Sequence, residues 1–411
     1  MIQHFRYTWL SFLIALVVLP SLSAAEPINT PTLHIPFEYK NDFILIDVIF
    51  DNRLPLKFIF DTGAENTILS KREITDLLQI NYDRTFTIYG SDMRTELTAY
   101  LATGIHFKAG DLTQENLPML VLEEDYFYFE EFTGEKIHGI IGANLFRRYV
   151  VKIDYRRQLI SLINPGNFTP PTKGYEEYSI DVDRNKPYIQ TQVRLPGQEE
   201  ADVKLLLDTG ASLALLINID TKPNLQLPET TVVGNIGRGL GGFLEGYRGI
   251  VPKLDIAPHT FEQIPANFQA LPPEADSTFT DNRNGLIGNQ ILSRFTVYID
   301  YFREKMYLEA NRKISKEFPR DKSGLSVIAT GYGLKTYAIQ AVVPGSPADQ
   351  AGLQRGDIIK KVNALGTSFL GLQDITRALQ KKEGKKVKLK IQRGQTRVKV
   401  EFKLRDYLFE P

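Results

Sequence analysis

The sequence contains no cysteine. Disulfide bonds, thiol nucleophiles and thiolate metal ligands are therefore all excluded. Histidine is also scarce, with five residues among 411, and no two of them have the spacing of the metal-binding HExxH motif. A Gly-x-Ser-x-Gly motif is missing too, which argues against a serine hydrolase of that type. From these absences we expect a protein without a metal site.

The chain also lacks an excess of charge of either sign. Lys and Arg together number 49, Asp and Glu together number 49, and the formal net charge is zero. Because binding to phosphates needs a basic excess, a nucleic-acid partner is disfavoured. Apolar residues make up 43% of the chain, and the 24 Phe and 19 Tyr residues favour β-strands.

The apolar run at residues 9–19 is shorter than the ~20 residues that a transmembrane helix needs. Arg6 precedes this run and the small residues 23–25 follow it, a pattern typical of a signal peptide. We therefore expect residues 1–25 to be removed before Glu26, and the protein to be periplasmic or extracellular. The alternative is that the segment is retained as a membrane anchor.

An internal repeat organises most of the chain. Three short motifs recur in the same order at an offset of 146 or 147 residues, which indicates a duplication. They are Asp61-Thr62-Gly63 and Asp208-Thr209-Gly210, then the apolar-apolar-Gly elements at 140–142 and 286–288, then Ile-Asp-Tyr at 153–155 and 299–301.

The repeat and the composition together divide the chain into domains. Residues 164–174 are rich in Pro and Gly and read as a linker. We expect the two copies at about 30–165 and 175–312, and a third domain at 318–408. Short apolar runs dominate each copy, so we predict lobes that are mainly β, with a short helix at 70–78 capped by Ser70.

The two Asp-Thr-Gly motifs carry the candidate chemistry. Each follows an apolar run typical of a buried strand, where an ionisable side chain is costly without a reason. If the two lobes face one another, Asp61 and Asp208 meet at the seam and share one proton. One carboxylate then takes a proton from a water while the other donates to a carbonyl oxygen. Gly63 and Gly210 allow the backbone to turn beside them.

These motifs resemble the aspartic peptidases, specifically the retropepsin-like and pepsin-like group, over about residues 40–310. The resemblance implies that Asp61 and Asp208 are catalytic, that Thr62 and Thr209 bond across the seam, and that no cofactor is needed. It also implies that two glycines pack behind the active-site loops. These glycines are Gly142 and Gly288.

Two further features bear on this resemblance. Ala64 and Ala211 stand where pepsins carry Ser or Thr, so a hydroxyl that would lower the carboxylate pKa is missing, and we expect a less acidic optimum than pepsin's. Segments 85–98 and 234–246 are either flaps over the cleft or ordinary hairpins. His138 has Asn284 as its counterpart, which favours a structural role.

Residues 320–408 resemble a bacterial PDZ domain, an α+β fold of the kind appended to periplasmic proteases. The motifs that carry this resemblance are at 341–348, 351–353, 356–359 and 362–363. PDZ domains add a peptide as a strand and hold its C-terminal carboxylate with backbone N–H groups. We expect Ser323, Gly324 and Leu325 to form that loop, although residues 331–334 offer a second candidate. The helix beside the groove is predicted at 372–380.

The leading hypothesis is thus an endopeptidase that hydrolyses extended peptides, with a PDZ domain that recruits C-terminal peptides or gates the cleft. The alternative is a non-catalytic peptide-binding or assembly protein on the same fold. Pairing of lobes between two molecules is a third possibility. Because both lobes lie in one chain, we expect a monomer.

Overall fold

A computed structural model describes residues 32–92, 94–271 and 283–407 of the chain. The predicted signal peptide, residues 1–25, lies outside the described residues. The fold is mainly β, with two protease-like lobes and a C-terminal PDZ domain, which confirms the predicted fold class. No helix among the described residues has both the length and the apolar character needed to cross a membrane.

The first lobe is built from strands and three short helices in the described part of the chain. Its strands are β1 Leu33–Pro36, β2 Glu38–Lys40, β3 Phe43–Phe50, β4 Leu54–Phe60, β5 Ile68–Leu69, β6 Tyr82–Tyr89, β7 Glu96–Ala109, β8 Leu112–Leu122, β9 Gly139–Ile141, β10 Val150–Asp154 and β11 Leu159–Ile163. Its helices are α1 Arg72–Leu77, α2 Phe129–Thr133 and α3 Ala143–Phe146.

The second lobe repeats this plan. Its strands are β12 Glu176–Asp183, β13 Lys186–Arg194, β14 Glu200–Leu207, β15 Leu215–Ile219, β16 Val232–Gly239, β17 Gly242–Ile256, β18 His259–Ala270, β19 Gly285–Ile287, β20 Phe295–Asp300 and β21 Lys305–Ala310. The short helix α4 spans Asn289–Leu292, the position equivalent to α3.

The third domain has the mixed α and β content that was predicted. Its strands are β22 Leu325–Thr330, β23 Thr336–Val342, β24 Ile358–Val362, β25 Leu365–Gly366, β26 Lys386–Arg393 and β27 Thr396–Lys403. Its helices are α5 Pro347–Gln350 and α6 Leu372–Leu379, and 3-10 turns lie at Tyr332–Leu334 and Thr367–Phe369.

The two lobes meet through equivalent strands. The strand order β1-β11-β10-β20-β21-β12 forms a sheet shared between them, and β10 pairs with β20 in antiparallel register from Val150 opposite Asp300 to Asp154 opposite Thr296. This sheet continues into the second lobe through the pairing of β12 with β13, in the order β13-β14-β19-β15-β18-β17-β16. The first lobe has a separate sheet of eight strands, in the order β2-β3-β4-β9-β5-β8-β7-β6. The pairing of β10 with β20 places the local two-fold axis between the copies, so equivalent loops face each other across it.

The apolar pattern of the sequence explains where the core lies. One core runs through both lobes, and the PDZ domain has a separate core of its own. Phe318, at the predicted start of the third domain, packs on the second lobe, with its ring 6.0 Å from that of Phe261. The helix predicted at 70–78 is present as α1, but its N-cap is Lys71 and no side chain caps it, so the assignment of Ser70 was wrong.

Candidate active site

Each candidate aspartate stands at the end of a buried strand that a parallel neighbour holds in place. Strand β4 pairs with β9, and the Asp61 N–H donates to the Ile141 carbonyl at 3.0 Å. Strand β14 pairs with β19 in the same way, and the Asp208 N–H donates to the Ile287 carbonyl at 2.9 Å. The apolar-apolar-Gly elements of the sequence are therefore the strands that fix where the two aspartates emerge.

Thr62 and Thr209 link the two loops across the seam. The Thr62 N–H donates to Thr209 Oγ1 at 3.0 Å, and the Thr209 N–H donates to Thr62 Oγ1 at 3.1 Å. Each hydroxyl also donates to a carbonyl of the opposite lobe, Thr62 to Leu207 at 2.6 Å and Thr209 to Phe60 at 2.9 Å. Both threonines are fully buried, so these four hydrogen bonds are shielded from water and join the two lobes.

The glycines of the two motifs bring the carboxylates together. A Cβ placed on Gly63 would lie 2.8 Å from Asp208 Cγ, and one placed on Gly210 would lie 2.3 Å from Asp61 Cγ. Each glycine thus lies directly against the carboxylate of the other lobe, an approach that any side chain would block. The structure therefore places Asp61 and Asp208 side by side, as the repeat predicted.

Backbone donors orient the two carboxylates toward the cleft. Asp61 Oδ1 accepts from the N–H groups of Gly63 at 2.7 Å and Ala64 at 3.1 Å. Asp208 Oδ1 accepts from the Gly210 N–H at 2.8 Å. One oxygen of each carboxylate is held by the backbone of its own loop in this way.

The two carboxyl groups share a raised proton affinity. Burial raises the pKa of Asp61 well above its usual value, and the neighbouring Asp208 charge raises it further. Burial also raises the pKa of Asp208, but the Arg283 guanidinium and the hydrogen bond from Asp61 oppose that rise. Both pKa values are thus raised, so the pair holds one proton between them and titrates as a unit, and the Arg283 charge favours the ionised form of Asp208.

Gly142 and Gly288 lie behind the aspartate loops, where the resemblance placed them. A Cβ on Gly142 would lie 2.3 Å from the Asn66 carbonyl carbon, and one on Gly288 would lie 2.4 Å from the Leu213 carbonyl oxygen. The residues that follow them bond to the loops, because the Ala143 N–H donates to the Ala64 carbonyl at 2.8 Å. Only a glycine allows this contact between strand and loop.

A cavity of about 660 Å³ surrounds the two carboxylates. Its walls differ between the lobes. The first lobe contributes apolar and aromatic side chains, among them Phe43, Phe127 and Phe129. The second lobe also contributes many apolar side chains, and it adds the two cations Arg248 and Arg283. The cleft is therefore largely apolar, with a cationic patch on the side of the second lobe.

The two segments predicted as either flaps or ordinary hairpins, 85–98 and 234–246, form hairpins that meet beside this cavity. The β6–β7 and β16–β17 hairpins, called the flap hairpins below, both line it. Their tips touch, since the Ser91 N–H donates to the Leu240 carbonyl at 2.6 Å and a Cβ on Gly90 would lie 2.8 Å from the same oxygen. Tyr89 is 45% exposed and does not line the cavity.

A polar group behind the second loop was missed by the sequence reasoning. Asn289 is fully buried, and its amide donates to the Thr209 carbonyl at 2.6 Å and to the Asp42 carbonyl at 2.9 Å. The Tyr155 hydroxyl donates to Asn289 Oδ1 at 2.7 Å. The sequence contains one indication of this group, which is the tyrosine of the repeated Ile-Asp-Tyr motif. The residue equivalent to Asn289 in the first lobe is Ala143, so the second tyrosine, Tyr301, has no equivalent amide partner.

His138 and Asn284 have the same structural role, as their exchange between the copies suggested. His138 Nδ1 accepts from the Lys57 N–H at 3.0 Å, and Asn284 Oδ1 accepts from the Lys204 N–H at 2.9 Å. Within residues 32–92, 94–271 and 283–407, no group of three or more His, Asp and Glu side chains is placed to hold a metal ion.

The proposed carboxylate loop of the third domain is engaged by the chain itself. The N–H groups of Ser323 and Gly324 donate to the Asp321 carboxylate at 3.1 and 2.7 Å, and the Leu325 N–H donates to Ser323 Oγ at 3.1 Å. The second candidate, residues 331–334, forms the turn between β22 and β23. The loop therefore precedes the first strand, where it was predicted, with its donors already used.

Comparison with known families agrees with this geometry. Residues 46–145 and 191–291 each match the aspartyl protease family, and residues 339–393 match the PDZ domain family. No curated protein matches the chain. The two aspartyl protease matches contain one Asp-Thr-Gly loop each. The chain therefore carries two tandem lobes of the retropepsin-like aspartyl protease type and a C-terminal PDZ domain.

Proposed function

We propose that this protein is an aspartic endopeptidase that binds an extended peptide across the cleft and hydrolyses it with one activated water. The observation that supports this proposal is the pairing of Asp61 and Asp208 beside the four hydrogen bonds that join Thr62 and Thr209 to the opposite lobe. The family supports a protease-type function in general.

In this mechanism the two carboxyl groups exchange protons with the reacting amide. Ionised Asp208 takes a proton from the water as its oxygen attacks the scissile carbonyl carbon, and Asp61 gives its proton to the carbonyl oxygen. The resulting gem-diol returns a proton to Asp61 while Asp208 protonates the leaving nitrogen, so the C–N bond breaks and both groups regain their starting states. The donors at Gly63 and Gly210 hold the carboxylates in place throughout.

The walls of the cleft favour particular side chains. The aromatic surface of the first lobe suits an apolar side chain, whereas Arg248 and Arg283 in the second lobe suit an acidic one. We expect peptides with an apolar residue on one side of the scissile bond and an acidic residue on the other to be cleaved fastest. Replacing Arg283 with Met should remove most of the preference for the acidic residue.

The test is cleavage of a peptide library by the wild-type protein, Asp61→Asn and Asp208→Asn, with a statine-type transition-state mimic as the inhibitor control. We expect each variant to lose at least about a thousandfold in kcat, because neither can complete both proton transfers. Asp154→Asn is the matched control, since this carboxylate caps a turn by accepting from the N–H groups of Arg156 and Arg157 and pairs with the Arg157 guanidinium at 3.8 Å. Activity that is equal in all four proteins would refute the catalytic roles and leave a peptide-binding protein.

The expected export of the chain remains part of this proposal. It rests on the signal-like pattern of residues 1–25 and on no structural observation. Mass spectrometry of the protein from its native source is expected to find Glu26 at the N-terminus. An N-terminus at Met1 on a membrane-bound protein would support the anchor instead.

A further inference from the structure

The peptide groove of the PDZ domain is covered by part of the first lobe. PDZ ligands add as a strand to an exposed sheet edge beside a helix. Here the edge strand is β22, which pairs with β23 on one side only, and the flanking helix is α6. Helix α2 of the first lobe lies against both β22 and α6. We call residues 125–135 the α2 segment, and the space between β22 and α6 the PDZ groove.

Gly134, at the end of this segment, shows how closely the two parts fit. A Cβ on Gly134 would lie 3.2 Å from Leu372 Cβ in α6 and 3.8 Å from Ala329 Cβ in β22. Its φ of +68° belongs to the left-handed region that glycine adopts most readily. The backbone of the segment is therefore seated between the strand and the helix, where a bound peptide would run.

The loop expected to bind the C-terminal carboxylate of a peptide is also engaged by the chain itself. The N–H groups of the carboxylate loop donate to Asp321 and Ser323, as described above. Asp321 also accepts from the Tyr407 hydroxyl at 3.0 Å, and both side chains line the substrate cavity. An internal carboxylate thus uses N–H groups that the C-terminal carboxylate of a ligand is expected to need.

The α2 segment also reaches the active site. Phe127 and Phe129 stack on each other with centroids 4.6 Å apart and form part of the cavity wall. Phe132 meets Phe243, near the tip of the second flap hairpin, edge to face at 5.8 Å. The segment is held to its own lobe by polar contacts, including the 2.6 Å ion pair of Lys71 with Glu130. One short segment therefore contacts the PDZ groove, the cleft wall and a flap.

We propose that the α2 segment is an internal occupant of the PDZ groove, that an extended peptide with a free C-terminal carboxylate must displace it, and that this displacement frees the flap over the cleft. The groove occupancy is independent of catalysis, whereas the effect on turnover rests on the proposed peptidase function. A ligand of the PDZ domain then acts as an activator, because the flap tips in contact over the carboxylates must separate to admit substrate.

The first test locks the segment into the groove. In Gly134→Cys/Ala329→Cys the two Cβ atoms lie at 3.8 Å, which is about the mean separation in a disulfide. The chain has no other cysteine, so oxidation forms this bond alone. The probes are fluorescein-labelled decapeptides that end in Val, Leu or Phe with a free carboxylate, and their C-terminal amides are the controls. Anisotropy is expected to show binding to the reduced protein and none to the oxidised protein, and equal binding in both states would overturn the proposal.

The second test releases the segment. Gly134→Asn keeps a residue that tolerates positive φ but presses a side chain against Leu372. Gly197→Asn is the matched control, since its φ is +69° and no atom lies within 4 Å of its added Cβ. We expect the acid-terminated peptides to bind Gly134→Asn about tenfold more tightly than wild type, because the competent state is more populated. Wild-type affinity in Gly134→Asn, or a gain as large in Gly197→Asn, would contradict this.

The third test measures the coupling to turnover. An internally quenched substrate with a C-terminal amide, which the PDZ domain does not hold, reports kcat/KM with and without saturating acid-terminated peptide. We expect a severalfold rise in the wild type, no response in the oxidised double-cysteine protein, and no response in Phe132→Ala, although that variant still binds the peptide. If the peptide raises kcat/KM equally in the oxidised and the reduced double-cysteine protein, the coupling is disproved. Absence of any hydrolysis would count against the peptidase function, while the two binding tests would stand unchanged.

Discussion

Tyr155 and Tyr301 occupy equivalent positions in the two lobes and differ in their hydrogen bonding. Both are buried, at 7% and 9% exposure. The Tyr155 hydroxyl donates to Asn289 Oδ1 at 2.7 Å, whereas the Tyr301 hydroxyl is buried with no hydrogen-bond partner among the described residues. The difference follows from Ala143, which stands in the first lobe where the second has Asn289. The same Tyr→Phe substitution therefore has opposite consequences at the two sites.

The magnitudes follow from what each substitution leaves behind. Tyr155→Phe removes the donor to a fully buried amide oxygen, and leaving one buried acceptor unsatisfied costs about 1–3 kcal/mol. Tyr301→Phe removes a hydroxyl that finds no partner, so its loss is expected to be neutral or to stabilise by up to about 1 kcal/mol. The two variants should differ by at least about 1 kcal/mol, with Tyr155→Phe the less stable.

Urea unfolding of the wild type, both variants and the double variant measures these changes. The free energies are compared at an unchanged m value, so that a shift of the midpoint reports stability alone. The double variant should equal the sum of the two singles, because each hydroxyl acts on its own surroundings. Equal destabilisation by Tyr155→Phe and Tyr301→Phe would show that the lobes do not differ in the way described, and would refute the reasoning.

Three further predictions concern the dyad and its supports. Thr62→Val breaks two hydrogen bonds between the lobes, so it should lower the free energy of unfolding by about 2–6 kcal/mol and also lower kcat. The control Thr67→Val breaks two hydrogen bonds within the first lobe, so it should lower stability by a similar amount and leave kcat of the folded protein unchanged. Urea unfolding and kinetics on the same sample separate the two effects. Arg283→Met removes the charge that lowers the pKa of Asp208, so the acid limb of the plot of kcat/KM against pH should move to higher pH. An acid limb at the wild-type pH would contradict the role of Asp208 as the ionised carboxylate. The pKa of Asp61 is raised on folding, so the stability it contributes is present below its unfolded pKa and is lost as pH rises through the folded pKa. Asp61→Asn should therefore raise the free energy of unfolding more at pH 7 than at pH 4. An equal rise at both pH values would show that folding does not raise the pKa of Asp61.

The sequence by itself determined the pair of aspartates and the doubled architecture. Periodic recurrence of three motifs identified equivalent positions, and equivalent positions in a two-fold arrangement must face each other. The same logic assigned His138 a structural role, and the structure shows its ring nitrogen accepting from Lys57 where Asn284 accepts from Lys204. These features are local, because each motif contains the residues that form the strand and loop it occupies.

Only the tertiary structure decided which groups lie behind and around that pair. The hydrogen bonds of Asn289 join elements far apart in the sequence, and Gly134 meets Ala329 across two domains. Such contacts depend on the angle at which separately folded units pack, and single-chain patterns of apolar residues and turns carry no information about that angle. The raised pKa values of Asp61 and Asp208 arise in the same way, from burial that exists only once both lobes have assembled.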